Sequence, residues 1–131
     1  MVFDPTAAPR DHASFMRWYE AQTTWGEGHS YDDHRVCSPA LQRWFLEMIE
    51  TFPPMNGPSA SKDYDPFVTD HCCGRDVIYS AFAWSVADTA RKRMRELAIK
   101  YGLGFYDVSG DPGEILFPGE ETASNQRLER P

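Results

Sequence analysis

At 131 residues the chain is long enough for one domain with an ordinary hydrophobic core. A net charge of −7 and a pI near 5.0 argue against nucleic acid or an anionic membrane as partner and favour a basic one. No run reaches the roughly 18 apolar residues of a membrane span, and the first residues lack a signal-peptide pattern. Cys37, Cys72 and Cys73 are odd in number and show no disulfide rhythm, so a reducing, cytoplasmic compartment is expected.

Residues 1–4 form a short apolar start, read as the end of a first strand closed by Asp4-Pro5. Asp11 then caps a helix running to about Thr24, with Phe15, Trp18, Tyr19 and Gln22 along its inner side. Gly26 and Gly28 open a loop to Pro39 that is longer than a packing connection requires. Ser38-Pro39 starts a second helix, Ser as N-cap and Pro at the first helical position. Leu41, Trp44, Phe45, Met48, Ile49 and Phe52 form the cleanest amphipathic stripe in the chain, and Pro53-Pro54 ends it. Residues 55–66 are a second long loop. Residues 67–73 read as a strand that turns through Gly74-Arg75 into a central strand over residues 77–84. Both alternating sets of that strand are largely apolar, the pattern of a strand covered on both faces or placed mid-sheet.

Ser85, with Asp88 three residues on, reads as the N-cap of a third helix ended by Gly102. A return strand follows over residues 103–108, then a turn cluster, then a short strand over residues 114–117 as a second hairpin. Residues 1–117 are thus expected to form a single α+β domain, and residues 118–131 a polar, frayed tail. The expected sheet is mostly antiparallel, with four to five strands and three helices in the ferredoxin-like β-α-(α)-β-β-α-β order. The helices are expected on one face.

Charge is unevenly distributed. Residues 85–101 carry five bases and two acids, whereas residues 20–70 carry nine acids and three bases. The basic run Arg91-Lys92-Arg93, with Arg95 and Lys100, reads as a solvated helix face rather than a nucleic-acid site. His29, Asp32, Asp33, His34 and Cys37, with His71 and Cys72-Cys73 distant in sequence, are the one metal-like group, but their spacing is not that of a zinc site. Cys37, Cys72 and Cys73 are possible thiol nucleophiles with His34 and His71 as possible bases. Sequence neighbours on a strand face opposite ways, however, and no catalytic motif is present. Neither a cofactor, a metal nor a catalytic residue is assigned. The two long loops place Trp25, Tyr31, Asp32 and Asp33 beside Asp63, Tyr64, Asp65 and Asp70. Aromatics next to carboxylates suit a patch for a basic protein partner. The alternative is that Trp25 and Tyr64 tuck inward and the aspartates cap turns.

FDPTAAPR, FMRWYEAQT, TFPPMNGP, GRDVIYSAFAWS and GFYDVSG together resemble an uncharacterised family of small soluble bacterial proteins, over nearly the whole chain to about Phe117. Members of that family begin a few residues earlier. Its size and acidity resemble those of immunity proteins encoded beside polymorphic or contact-dependent toxins. The resemblance implies a non-enzymatic protein that binds and blocks one cognate toxin domain, and it brings no catalytic residue with it. A different class of function would be a small metal-binding protein or enzyme using the His29/His34 loop with His71 or Cys72. A third would be a ligand-sensing or subunit-assembly module of the ferredoxin-like kind, forming a homodimer through exposed strand edges.

Overall fold

The computed structural model describes residues 1–58, 60–61 and 65–120. Asp63 and Tyr64, and residues 121–131 of the tail expected over 118–131, lie outside them. The elements run β1 (Val2–Phe3), α1 (His12–Gln22), α2 (Pro39–Met48), β2 (Asp70–Cys73), β3 (Val77–Ala81), α3 (Ala87–Lys100), β4 (Gly104–Tyr106) and β5 (Ile115–Leu116). The strands form one sheet in the order β2-β3-β1-β4-β5, every neighbouring pair antiparallel. This is an α+β fold.

Two-residue β1 lies at the centre of the sheet, with Val2 opposite both Ile78 and Phe105. Successive strand residues alternate between the two faces. Val2, Ile78, Phe105 and Leu116 join Leu41, Trp44 and Met48 of α2 and Met94 and Leu97 of α3 in one core. Phe3, Val77, Tyr106 and Phe117 join Phe15 of α1 in a second core on the other face, against which Met16, Trp18 and Tyr19 pack. The expectation of helices on one face is therefore corrected: α1 covers one side and α2 with α3 the other. The cause is the large aromatic stripe of α1, which takes up the second apolar set that β3 presents. Phe3 meets Phe15 at 5.1 Å, Phe117 at 5.3 Å and Trp18 at 5.7 Å, each ring edge to face. The Phe3 ring also lies over Gly104, where a Cβ would come within 2.1 Å of it.

Two features lock α2 to α3. Buried Trp44 donates its indole N–H to the Met94 carbonyl at 3.2 Å. Nearby, Glu47 accepts from Lys100 Nζ at 2.6 Å, the Tyr101 hydroxyl at 2.5 Å and Arg93 at 3.0 Å. Arg95 pairs with Glu114 at 2.9 Å. Most of the basic run is thus held by carboxylates of its own chain.

Element ends depart from expectation where the ladder runs out. Strand β3 stops at Ala81, because its partner β2 begins at Asp70 directly opposite. Beyond it, Trp84–Val86 form a 3-10 turn, and Trp84, expected at a strand end, is 95 % exposed. Ser85 is not the N-cap of α3. The 3-10 turn runs straight into that helix, with Val86 at the cap position and no side-chain cap bond. Residues 67–69 precede β2 rather than belong to it, and Thr69 bridges to Pro54.

Candidate functional site: an aromatic and acidic groove

Helix α1 ends against the sheet and positions the site. Its last turn brings Tyr19 over the hairpin, and Thr23 folds its hydroxyl back onto the Tyr19 carbonyl at 3.0 Å. Trp25 then takes a φ of 56°, the one positive φ outside glycine among the described residues. A left-handed backbone at a bulky residue is strained, and it persists only where surrounding contacts hold it. Here the contacts are rings: Trp25 meets Tyr31 at 5.1 Å and Tyr79 at 6.4 Å, both edge to face.

The hairpin supplies the floor. Cys72 lies opposite Tyr79 and Asp70 opposite Ala81, two successive cross-strand pairs on the α1 face of the sheet. Tyr19, Thr23, Trp25, Asp70, Cys72, Tyr79 and Ala81 together enclose a groove of about 320 Å³. Three aromatic rings and one carboxylate line it, and no basic side chain does among the described residues. Burial, then the neighbouring Tyr79 and Tyr106 hydroxyls, push the Tyr19 phenol up to about 12, so it stays a neutral donor at any physiological pH. Burial, followed by the Asp70 charge, pushes the Cys72 thiol up to about 11, which leaves it protonated and a poor nucleophile. Asp70 Oδ1 lies 4.0 Å from the Cys72 sulfur, a weak donor, so the carboxylate keeps most of its accepting capacity. The groove is suited to holding an organic cation.

The first long loop is a braced wall beside this groove. The Tyr31 carbonyl accepts from Cys73 N–H at 2.7 Å, and the Tyr31 hydroxyl from Glu27 N–H at 2.6 Å. Glu27 accepts from Arg75 N–H at 3.0 Å and meets His29 Nε2 at 2.7 Å. Asp33 caps the 3-10 turn over His34–Val36 and is gripped by the Arg35 guanidinium, the nearest contact being 2.6 Å. Those hydrogen bonds pull its carboxyl down to about 2. Asp32 accepts from the Ser30 hydroxyl, and its carbonyl lies where a Cβ on Gly57 would sit, so the two long loops touch there. Asp65 turns back onto Phe67 N–H at 2.7 Å.

Of the residues expected to bind a partner, the fold brings Trp25 and Asp70 into one groove, with Tyr31 packed behind Trp25. Asp32 and Asp33 lie in the adjoining loop, and Asp65 precedes β2. Loop composition alone misses Tyr19 and Tyr79. Register reveals the second of them: pairing the hairpin through Gly74-Arg75 puts Tyr79 beside Cys72 and Asp70.

The histidines and cysteines disperse. His71 is buried, and its Nε2–H donates to the Phe52 carbonyl at 3.0 Å, so Nδ1 accepts from the Ser80 hydroxyl at 2.7 Å. Burial lowers its pKa to about 4. His34 stacks on Phe45 at 4.8 Å, and Cys37 and Cys73 belong to the α2–α3 core. Among the described residues no three His, Cys, Asp or Glu side chains converge as metal ligands.

A wider cleft of about 390 Å³ opens between the ends of β3 and β4 and the start of α3, with Trp84, Asp88 and Arg91 at its rim. Among the described residues no helix is long and apolar enough to cross a membrane. Comparison with protein-family models, with curated proteins and with solved structures gave no match.

Proposed function

We propose that this chain is a non-enzymatic binding protein of the bacterial cytoplasm that neutralises a basic toxin domain by occluding it, one molecule to one. The observation that supports this best is the groove of Tyr19, Trp25, Tyr79 and Asp70, with no basic side chain lining it among the described residues, on a chain of net charge −7. Rigid aromatics beside a carboxylate are the composition of interface anchors, and the negative field of the whole chain steers a basic partner toward them. The roles divide accordingly. Asp33 and Asp65 are engaged within the chain and contribute to the field, whereas Asp70 is open to a partner's cation.

The test is co-expression with the C-terminal domain of the secreted protein encoded beside this one, followed by size-exclusion chromatography and calorimetry. A one-to-one complex whose association slows as salt rises supports the reading. A soluble, folded partner domain that forms no complex refutes it.

A further inference from the structure

We propose that the groove is a receptor for the guanidinium of an arginine side chain presented by the partner protein. This rests on the reading of the chain as a binder of a basic partner, and it names the group that is read.

Shape, polarity and charge agree on this occupant. Trp25 and Tyr79 touch edge to face, 6.4 Å between centroids, and with Tyr19 form one continuous aromatic wall against which a group in the groove can lie. Cations are attracted to ring faces, and a planar guanidinium can stack there as an ammonium cannot. Asp70 lies two residues from Cys72 on the same face of β2, at the Ala81 end of the groove. A guanidinium lying on the aromatic wall can therefore direct its paired N–H groups at that carboxylate, the fork geometry that distinguishes arginine from lysine. Among the described residues none fills the place of the cation. Thr23 is satisfied by the Tyr19 carbonyl, Cys72 is a protonated thiol, and no arginine or lysine of the described residues lines the groove. The strained Trp25 backbone and the braced loop behind it hold the wall in place before any ligand arrives, which lowers the cost of binding.

The experiment titrates the full chain with L-argininamide and follows the Trp25 indole and the Tyr79 backbone by NMR, the indole being assigned with Trp25→Phe. Lysinamide and tetramethylammonium serve as comparison cations. Saturable shifts confined to the groove, weakened about tenfold by Asp70→Asn and weaker by a similar factor for lysinamide, are expected. The absence of saturable shifts overturns the proposal, as does equal binding of all three cations. Asp70→Asn is then carried into the partner complex. A complex indifferent to Asp70→Asn and to excess argininamide overturns the groove while the binding function stands. Saturable argininamide binding to a chain that captures no partner leaves the groove in place and removes the toxin reading.

Discussion

His71 gives the sharpest test of how this core is built. The ring is buried in the α2–α3 face, ringed by Trp44 at 6.3 Å, Phe45 at 5.5 Å and Phe82 at 6.4 Å, and fixed between the Phe52 carbonyl and the Ser80 hydroxyl. Charging it there forfeits hydration without an acid partner on the ring, and its pKa falls from the ordinary 6.5 to about 4. As pH drops, the unfolded chain therefore takes up this proton before the folded one does. The stability present above 6.5 is lost progressively and levels off below about 4. Each tenfold drop in proton affinity is worth about 1.4 kcal/mol, so the whole loss is roughly 3 kcal/mol, a large part of the roughly 5–15 kcal/mol that holds a domain together. Carboxylates titrate in the same window, so the measurement is a difference. Urea unfolding of the native chain and of His71→Gln, which keeps an amide donor for Phe52, is compared at about pH 7.5 and about pH 4.5. The native chain should lose about 2–3 kcal/mol more than the variant over that interval. Equal losses would refute a neutral, buried His71 and return it to the candidates for chemistry.

Other perturbations follow from single contacts. Gly104→Ala drives a Cβ into the Phe3 ring at 2.1 Å and should cost about 1–3 kcal/mol, overlapping less when Phe3→Leu is added; strictly additive losses in the double variant argue against the clash. Hydrogen bonds from Lys100 and then Tyr101 hold the Glu47 carboxyl below its usual range, so Lys100→Met should raise the Glu47 pKa in a carbon-detected NMR titration. An unchanged Glu47 would mean that the pair does not persist in solution. Trp84, 95 % exposed, should be replaceable by Ser within about 0.5 kcal/mol of the native stability, and its emission should be fully quenchable by acrylamide. A marked loss of stability on that change would place the ring in a packing role.

What can be read from the sequence is what local physics fixes. The stripe Leu41–Phe52 has one way to pack, and Gly74-Arg75 joins two strands that do pair antiparallel. The doubly apolar pattern of residues 77–84 fits a strand covered on both faces or one placed mid-sheet, and Val77 and Ile78 do enter different cores. The pattern does not by itself say which helix covers which face, and the expectation it leaves is helices on one face. The same pattern misplaces Trp84, because periodicity does not record where a partner strand ends, and the ladder with β2 ends at Ala81. The groove is legible only in pieces. Trp25 stands out as an aromatic in a long loop and Asp70 as an acid in a strand beside one, but Tyr19 and Tyr79 read as ordinary core residues until register and the position of α1 are known.

Why the site falls at this corner follows from the layering. On the other face two helices cover the sheet, and their shared core buries His71, Cys73 and Ile78 of the same hairpin. Helix α1 alone covers the second face, and its apolar stripe is used up on Phe3, Val77, Tyr106 and Phe117, from the sheet centre toward the β5 edge. The last turn of α1 reaches the β2–β3 hairpin only at Tyr79, through Tyr19, and leaves Asp70 and Cys72 half-covered. The chain closes that gap with Trp25 in a strained conformation and a loop pinned to the hairpin by the Tyr31 carbonyl and the Glu27 carboxylate. A gap needed only for stability is more simply closed by an aliphatic side chain on unstrained backbone, with no carboxylate left facing it. Rings with faces to offer and an acceptor with capacity to spare are what a site for a cation requires, and strain at Trp25 is a cost that binding can justify.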